Sequence, residues 1–257
     1  MFKLRSWINK DLLESTLSSN PAAIKLLTQN QDKIDWPQLS KNPAAIHLLE
    51  ANPKHISWSM LSLNPAAIHL LEANPKKEWV ALSANPAAIH LLEQNPDKID
   101  WSNLSVNPAA IHLLEANPDK IHWRYLSENP AALNLLTQNP DKIAWDYLCR
   151  NPNPEAVKIL EHTPYRIDWL SLSLNTSAIH ILEANPDKIN WLCLSRNESA
   201  IHLLEANQEK IDWYFISENP SIFTYDYSEM TRPFTEELMQ NRFHPKNVDK
   251  FEAWGYE

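Results

Sequence analysis

Between Asn20 and Glu218 one stretch, close to Asn-Pro-Ala-Ala-Ile-His-Leu-Leu-Glu-Ala-Asn-Pro-Asp-Lys-Ile-Asp-Trp-x-x-Leu-Ser-x, is written nine times. Its opening asparagines are Asn20, Asn42, Asn64, Asn85, Asn107, Asn129, Asn153, Asn175 and Asn197, and Asn219 starts a truncated tenth copy. The period is 22 residues, one fewer in the third copy and two more at Asn151-Pro152. A fixed period of this size predicts a solenoid, because such a unit can bury its apolar face only against its neighbours. Most residues are thereby explained as structural, and function is left to whatever departs from the template.

Columns are numbered here from the opening asparagine. Asn in column 1 followed by Pro in column 2 reads as an N-cap and first helical residue: the amide oxygen accepts a free helix-start N–H, and proline there lacks only a donor the helix does not use. Strong helix formers follow, as in Ala44 to Ala51. Ala45, Ile46, Leu48 and Leu49 fall in one stripe, with His47 and Glu50 pointing away. The spacing predicts a helix of about nine residues, stopped by a second Asn-Pro such as Asn52-Pro53, where the residue before proline is pushed out of the helical region. Column 16 holds Asp35, Ser57, Asp100, Asp168, Asn190 and Asp212, cap residues set directly before the tryptophan. A second, very short α or 3₁₀ helix is predicted over Trp-x-x-Leu-Ser, as in Trp101 to Ser105.

The expected fold class is therefore all-α, a helical solenoid of nine to ten repeats. Leucine fills column 8 in all nine copies, and column 17 is Trp36, Trp58, Trp79, Trp101, Trp123, Trp145, Trp169, Trp191 and Trp213. Short isolated helices are marginal in water, so stacking must hold them, and the tryptophan ladder is expected to carry it, together with caps at Asn42, Asn64, Asn85, Asn107 and Asn129. At 8–10 Å between packed helices, nine rungs predict a rod or arc of ~70–90 Å. The rival is a leucine-rich-repeat horseshoe, which the period allows. Trp-x-x-Leu-Ser-x-Asn-Pro lacks its strand alternation, however, and two prolines per rung discourage a sheet. Residues 1–19 are expected to cap the first rung as a half-repeat, since Leu17-Ser18-Ser19 matches columns 20 to 22. Residues 20–218 form the solenoid, and 219–257 a partial repeat and helical cap. Amphipathic helices are predicted over 235–239 and 245–251, the latter ended by Gly255.

The net charge of −9 argues against nucleic acid, which needs a phosphate-neutralising surface. It suits a basic protein partner or simple solubility. The first residues lack an apolar signal core and no run approaches 18 apolar residues, so neither secretion nor a membrane span is expected. Cys149 and Cys193, in different columns, read as free thiols of a reducing compartment. One glycine in the chain rules out a glycine-rich phosphate loop. His47, His69, His90, His112, His180 and His202, each with a glutamate three residues on, offer two ligands per rung, with the next rung ~8–10 Å away, too far to share an ion. These histidines read as a solvated stripe. Ser, His and Asp recur by template and not as a unique constellation, so no enzyme activity, cofactor or metal is expected.

The unit Asn-Pro-Ala-Ala-Ile-His-Leu-Leu-Glu-Ala-Asn-Pro-Asp-Lys-Ile-Asp-Trp resembles the repeats of uncharacterised proteins of giant DNA viruses of amoebae and algae. The ending Leu238-Met239-Gln240-Asn241-Arg242-Phe243-His244-Pro245 is similar to the ends of those proteins. The likeness spans residues 20–257. It implies a viral protein in host cytoplasm or virion and carries no chemistry with it. The alternation of a longer and a shorter helix also resembles the leucine-rich variant repeat, a right-handed helical solenoid, in logic more than in sequence.

Function in a repeat protein is usually written in its variable columns. Columns 18 and 19 gain aromatic and aliphatic character from the fifth copy on: Arg124, Tyr125, Asp146, Tyr147, Leu170, Leu192, Tyr214 and Phe215. Tyrosine and arginine suit contact surfaces. The competing reading is that these side chains fill the gaps between short helices of adjacent rungs. The expectation is a non-enzymatic protein-interaction scaffold whose partner surface is this strip; the alternatives are a structural component of a virus particle or factory and, less favoured by the charge, a nucleic-acid reader.

Overall fold

The computed structural model describes residues 2–227 except Glu14 and Ala73, together with Thr231. The helices predicted over 235–239 and 245–251 lie outside the described residues. Each rung is helical, as the repeat predicts, but broken into short pieces. In the fifth rung Pro108–Ala110 is a 3₁₀ turn that runs into the α-helix Ile111–Glu115; Pro118–Lys120 is a second 3₁₀ turn; and Trp123–Leu126 is the short tryptophan helix. The expected nine-residue helix appears as one uninterrupted element in Pro154–His162. In six rungs a 3₁₀ turn that ends on the column 4 alanine, such as Ala110 (φ −97°, ψ 8°), precedes the α-helix.

The column 16 caps form as predicted at Asp35, Asp100, Asp168, Asn190 and Asp212, each side chain accepting the N–H three residues on. Ser57 makes no such bond. In seven rungs the asparagine that ends the long helix also acts through its side chain: Asn52 Nδ2 donates to Leu48 O at 2.9 Å, and Asn117 Nδ2 to Leu113 O at 2.9 Å, covering carbonyls the helix end leaves open.

Column 1 does more than cap. Asn107 Oδ1 accepts from Ala109 N–H, the predicted cap, while its Nδ2 donates to Ser83 O and Asn85 O, all at 3.0 Å. Each asparagine thus reaches back to the asparagine one rung before it. The series runs Asn20, Asn42, Asn64, Asn85, Asn107, Asn129, Asn151, Asn175, Asn197, Asn219, all at most 2% exposed. Asn153 does not open the seventh rung. Asn151 holds the ring position, donating to Ser127 O and Asn129 O, and Asn153 caps the following helix through Glu155 N–H. The two inserted residues therefore follow the buried asparagine, where the chain can bulge without breaking the series.

The series closes. Asn20 Nδ2 donates to Asn219 O at 2.9 Å and to Ser217 O at 3.0 Å, the same pair of bonds every other rung makes. The rod or arc expected from the rung count is instead a ten-rung ring, because each rung turns by the same increment and the tenth meets the first. The tenth rung is composite. Asn219 and the 3₁₀ turn Pro220–Ile222 supply its opening columns, and the N-terminal 3₁₀ helix Ser15–Ser19 supplies its closing ones. Ser18 Oγ there accepts Asp35 N–H just as Ser40 Oγ accepts Ser57 N–H. Strands β1 (Phe2–Leu4) and β2 (Phe223–Tyr225) pair antiparallel, Phe2 opposite Tyr225, and join the two ends. Residues 2–19 thus complete the ring; they do not cap an open stack.

The core is a band of small and branched side chains. Column 4 alanine, column 8 leucine and column 20 leucine are almost all fully buried, among them Ala110, Leu114 and Leu104. The tryptophans pack against this band and are partly buried, so leucine and not tryptophan forms the innermost layer. Column 21 serine, also buried, donates to the tryptophan carbonyl four residues back and accepts an N–H from the next rung, as Ser105 does with Trp101 and His122.

Candidate interaction surface

The tryptophan helices of successive rungs, such as Trp79–Ala84 and Trp101–Val106, lie close together, as do the Pro-Ala-Ala turns; the longer helices and the Pro-Asp-Lys turns spread further apart. In a closed ring, distance between equivalent parts grows with radius. The tryptophan helices therefore form the inner wall and the longer helices the outer rim.

That geometry sorts the eight sequence-selected residues into two groups. Leu170, Leu192 and Tyr214 occupy column 18 of three consecutive rungs and are 48%, 49% and 47% exposed. Val80 in the same column and Leu63 in column 22 are also exposed, though the sequence reading did not select them. Their signal was legible as apolar residues in columns that other rungs fill with polar ones. The second group is knit into the structure. Tyr125 and Tyr147 of adjacent rungs lie 5.6 Å apart between ring centres. Arg124 Nη2 donates to Asp146 Oδ2 at 2.8 Å, and its guanidinium sits 4.7 Å over the Tyr147 ring. The Asp146 hydrogen bond and charge raise the Arg124 pKa above its ordinary value. Phe215 is half-buried beneath Arg196, 5.1 Å from its ring centre, and Arg196 in turn pairs with Glu218 at 2.7 Å. Column 19 is largely a packing position, and column 18 carries the open surface at Leu170, Leu192 and Tyr214.

The outer rim carries the histidine stripe. The histidines are about half exposed and reach across to the neighbouring rung. His112 Nε2 lies 2.9 Å from Glu93 Oε1 of the preceding rung, and the same contact recurs at His69, His90, His180 and His202. Two long side chains span the gap that a metal bond could not. Among the described residues no three His, Cys, Asp or Glu side chains cluster as a metal-binding group. No helix of the described residues is long and apolar enough to cross a membrane.

Both cysteines are free thiols. Cys149 stands in column 21, where its Sγ accepts Asp168 N–H at 3.3 Å in place of a serine hydroxyl. Burial pushes its thiol from the ordinary 9.0 up to about 11. Burial also raises Cys193. Neither is set up as a thiolate nucleophile.

Compared with protein-family models, with curated proteins and with solved structures, the chain has no match. The repeat geometry and the surface it exposes are the available guides to function.

Proposed function

We propose that this ring is a non-enzymatic scaffold that holds a protein segment against its inner wall, and that it is made by a giant DNA virus. The observation that carries the scaffold reading is the run of Leu170, Leu192 and Tyr214 on three consecutive rungs, apolar, exposed and on one side. Contiguous apolar surface of this kind marks interaction sites. The viral reading rests on the resemblance of the repeat. The charge of −9 supports a basic partner segment over nucleic acid. Ten helices spaced ~8–10 Å apart, each ~10–12 Å thick, leave an opening on the order of 10–20 Å, which suits an extended or helical segment better than a globular domain. Assembly of particles end to end has less support, because the two ends are spent on closing the ring.

The test is the triple change Leu170→Ala, Leu192→Ala, Tyr214→Ala. Surface substitutions of this sort should each move stability by no more than ~0.5 kcal/mol. Partners cross-linked to the wild-type ring in infected cells and identified by mass spectrometry should be lost from the triple variant. Retention of the same partners removes the inner strip as their site. Recovery of the protein chiefly from purified particles, with no partner touching this strip, would favour a structural component instead.

A further inference from the structure

Nine rungs begin their short helix with a tryptophan, and in four of them a column 14 cation or histidine of the next rung covers its ring. His55 stacks on Trp36 at 4.6 Å, and Lys120, Arg166 and Lys210 each stand 4.5 Å from the ring centres of Trp101, Trp145 and Trp191. The tenth rung breaks this pattern. Counting back from Leu17 in column 20, its column 17 residue is Glu14. At the corresponding place, between the tenth rung and the first, the structure holds a half-open cavity of about 240 Å³. Leu17 and Ser18 line it from the tenth rung, and Leu26, Leu27, Asn30 and Lys33 from the first. Those four are columns 7, 8, 11 and 14. Beside Trp169, columns 7 and 11 of the next rung, Ile181 and Asn185, line an outer groove together with the tryptophan ring itself, whereas the seam cavity reaches in to columns 8, 20 and 21. Trp7 packs against the core but does not line this cavity.

We propose that the seam cavity is a binding site for one indole ring. The same columns form a wall in nine rungs; in the second to ninth they follow a rung that carries a tryptophan, and in the first they follow one that does not. A dry apolar cavity of ~150 Å³ takes benzene, so the seam has room for a bicyclic ring. Leu26 and Leu27 supply the apolar floor. Lys33 stands where Lys120 and Lys210 stand over their tryptophans. The indole comes either from outside, as a tryptophan side chain or a free indole compound, or from this chain's own Trp254, which lies beyond the described residues. This inference does not depend on the inner-wall strip, which is formed by other rungs.

Titration of the full chain with N-acetyl-tryptophanamide, followed by amide chemical shifts, tests it. Saturable shifts at Leu26, Leu27 and Lys33, absent with N-acetyl-leucinamide, are the expected result. Lys33→Ala should weaken binding about two- to five-fold, the range of an exposed cation–π contact. Glu14→Trp writes in the missing ring and should abolish binding. If wild type is silent but Trp254→Ala binds, the chain's own tryptophan fills the site, which also supports the proposal. Absence of these shifts in both wild type and Trp254→Ala overturns it. Undiminished binding in Lys33→Ala, or in a folded Glu14→Trp, overturns it as well.

Discussion

An asparagine side chain offers two N–H donors and an accepting oxygen, and at Asn107 all three features are used in a buried site. A cap needs only the oxygen, which aspartate also provides. The two donors it cannot provide, and a carboxylate there would face two carbonyl oxygens. Asn107→Asp should therefore cost at least as much as Asn107→Ala, about 2–5 kcal/mol for each, since each unpaired buried group costs ~1–3 kcal/mol. Chemical denaturation decides this; an Asp variant within ~1 kcal/mol of wild type would mean the capping oxygen is all that matters. Cys149 gives the opposite case. It occupies a serine position whose hydrogen-bond partners are already in place, so Cys149→Ser should be neutral or stabilising within ~1 kcal/mol. The thiol also carries a pH signature. Its folded pKa is raised, so the protonated folded state is favoured, and the contribution is intact below about 9.0 and lost as pH climbs toward about 11. The serine variant should lack that alkaline decline in its unfolding midpoint. An identical decline in both proteins would assign it to other groups.

At the scale of the element, no helix of the described residues is long enough to persist alone. What fixes each one is the leucine band on its inner side and the neighbouring rung's hydrogen bonds at its ends. Leu126, fully buried, should cost ~2–5 kcal/mol on change to alanine. The outer face tells a different story. His112 and Glu93 are close, yet about half of each side chain is exposed, and exposed pairs contribute only ~0.2–1 kcal/mol. His112→Ala should therefore fall below ~1 kcal/mol in the same denaturation series. If the two losses were comparable, the rim ladder would rank with the core as a source of stability. The column rule that put leucine and alanine inside and His and Glu outside was legible in the sequence from helical spacing alone. The cross-rung reach of His and Glu was not, because it depends on the distance between rungs, which no single repeat encodes.

At the scale of the molecule, closure changes how stability is distributed. An open solenoid frays from its ends because terminal rungs have one neighbour. In the ring every rung has two: Asn20 Nδ2 of the first rung donates to Asn219 O of the tenth, and Thr16 Oγ1 of the tenth donates to Tyr214 O of the ninth. Hydrogen exchange should accordingly show the Asn42 and Asn129 amides protected to within about tenfold of each other. A steep loss of protection toward the first rungs would indicate an open stack in solution. Removal of residues 2–19 takes away half of the tenth rung and exposes the faces it covers. The expected outcome is self-association or a marked loss of stability, read by light scattering and thermal melting; an unaltered monomer of unaltered stability would show that the seam contributes nothing.

The sequence by itself determined the rung. Asn-Pro punctuation set where helices start and stop, the 3.6-residue spacing set which face is apolar, and the period set that rungs must stack. It also marked the seam, since Leu17-Ser18-Ser19 at one end and Asn219-Pro220 at the other are two parts of one repeat. Sequence spacing also put Asn153 at the head of the seventh rung, where the buried carbonyls of Ser127 and Asn129 instead select Asn151. Only the tertiary structure decided that the parts meet. Curvature is the small angle between one rung and the next, set by the difference in girth between a tryptophan helix on the inside and a longer helix on the outside. A repeat states its own contacts but not that angle, and closure depends on ten such angles summing to a full turn.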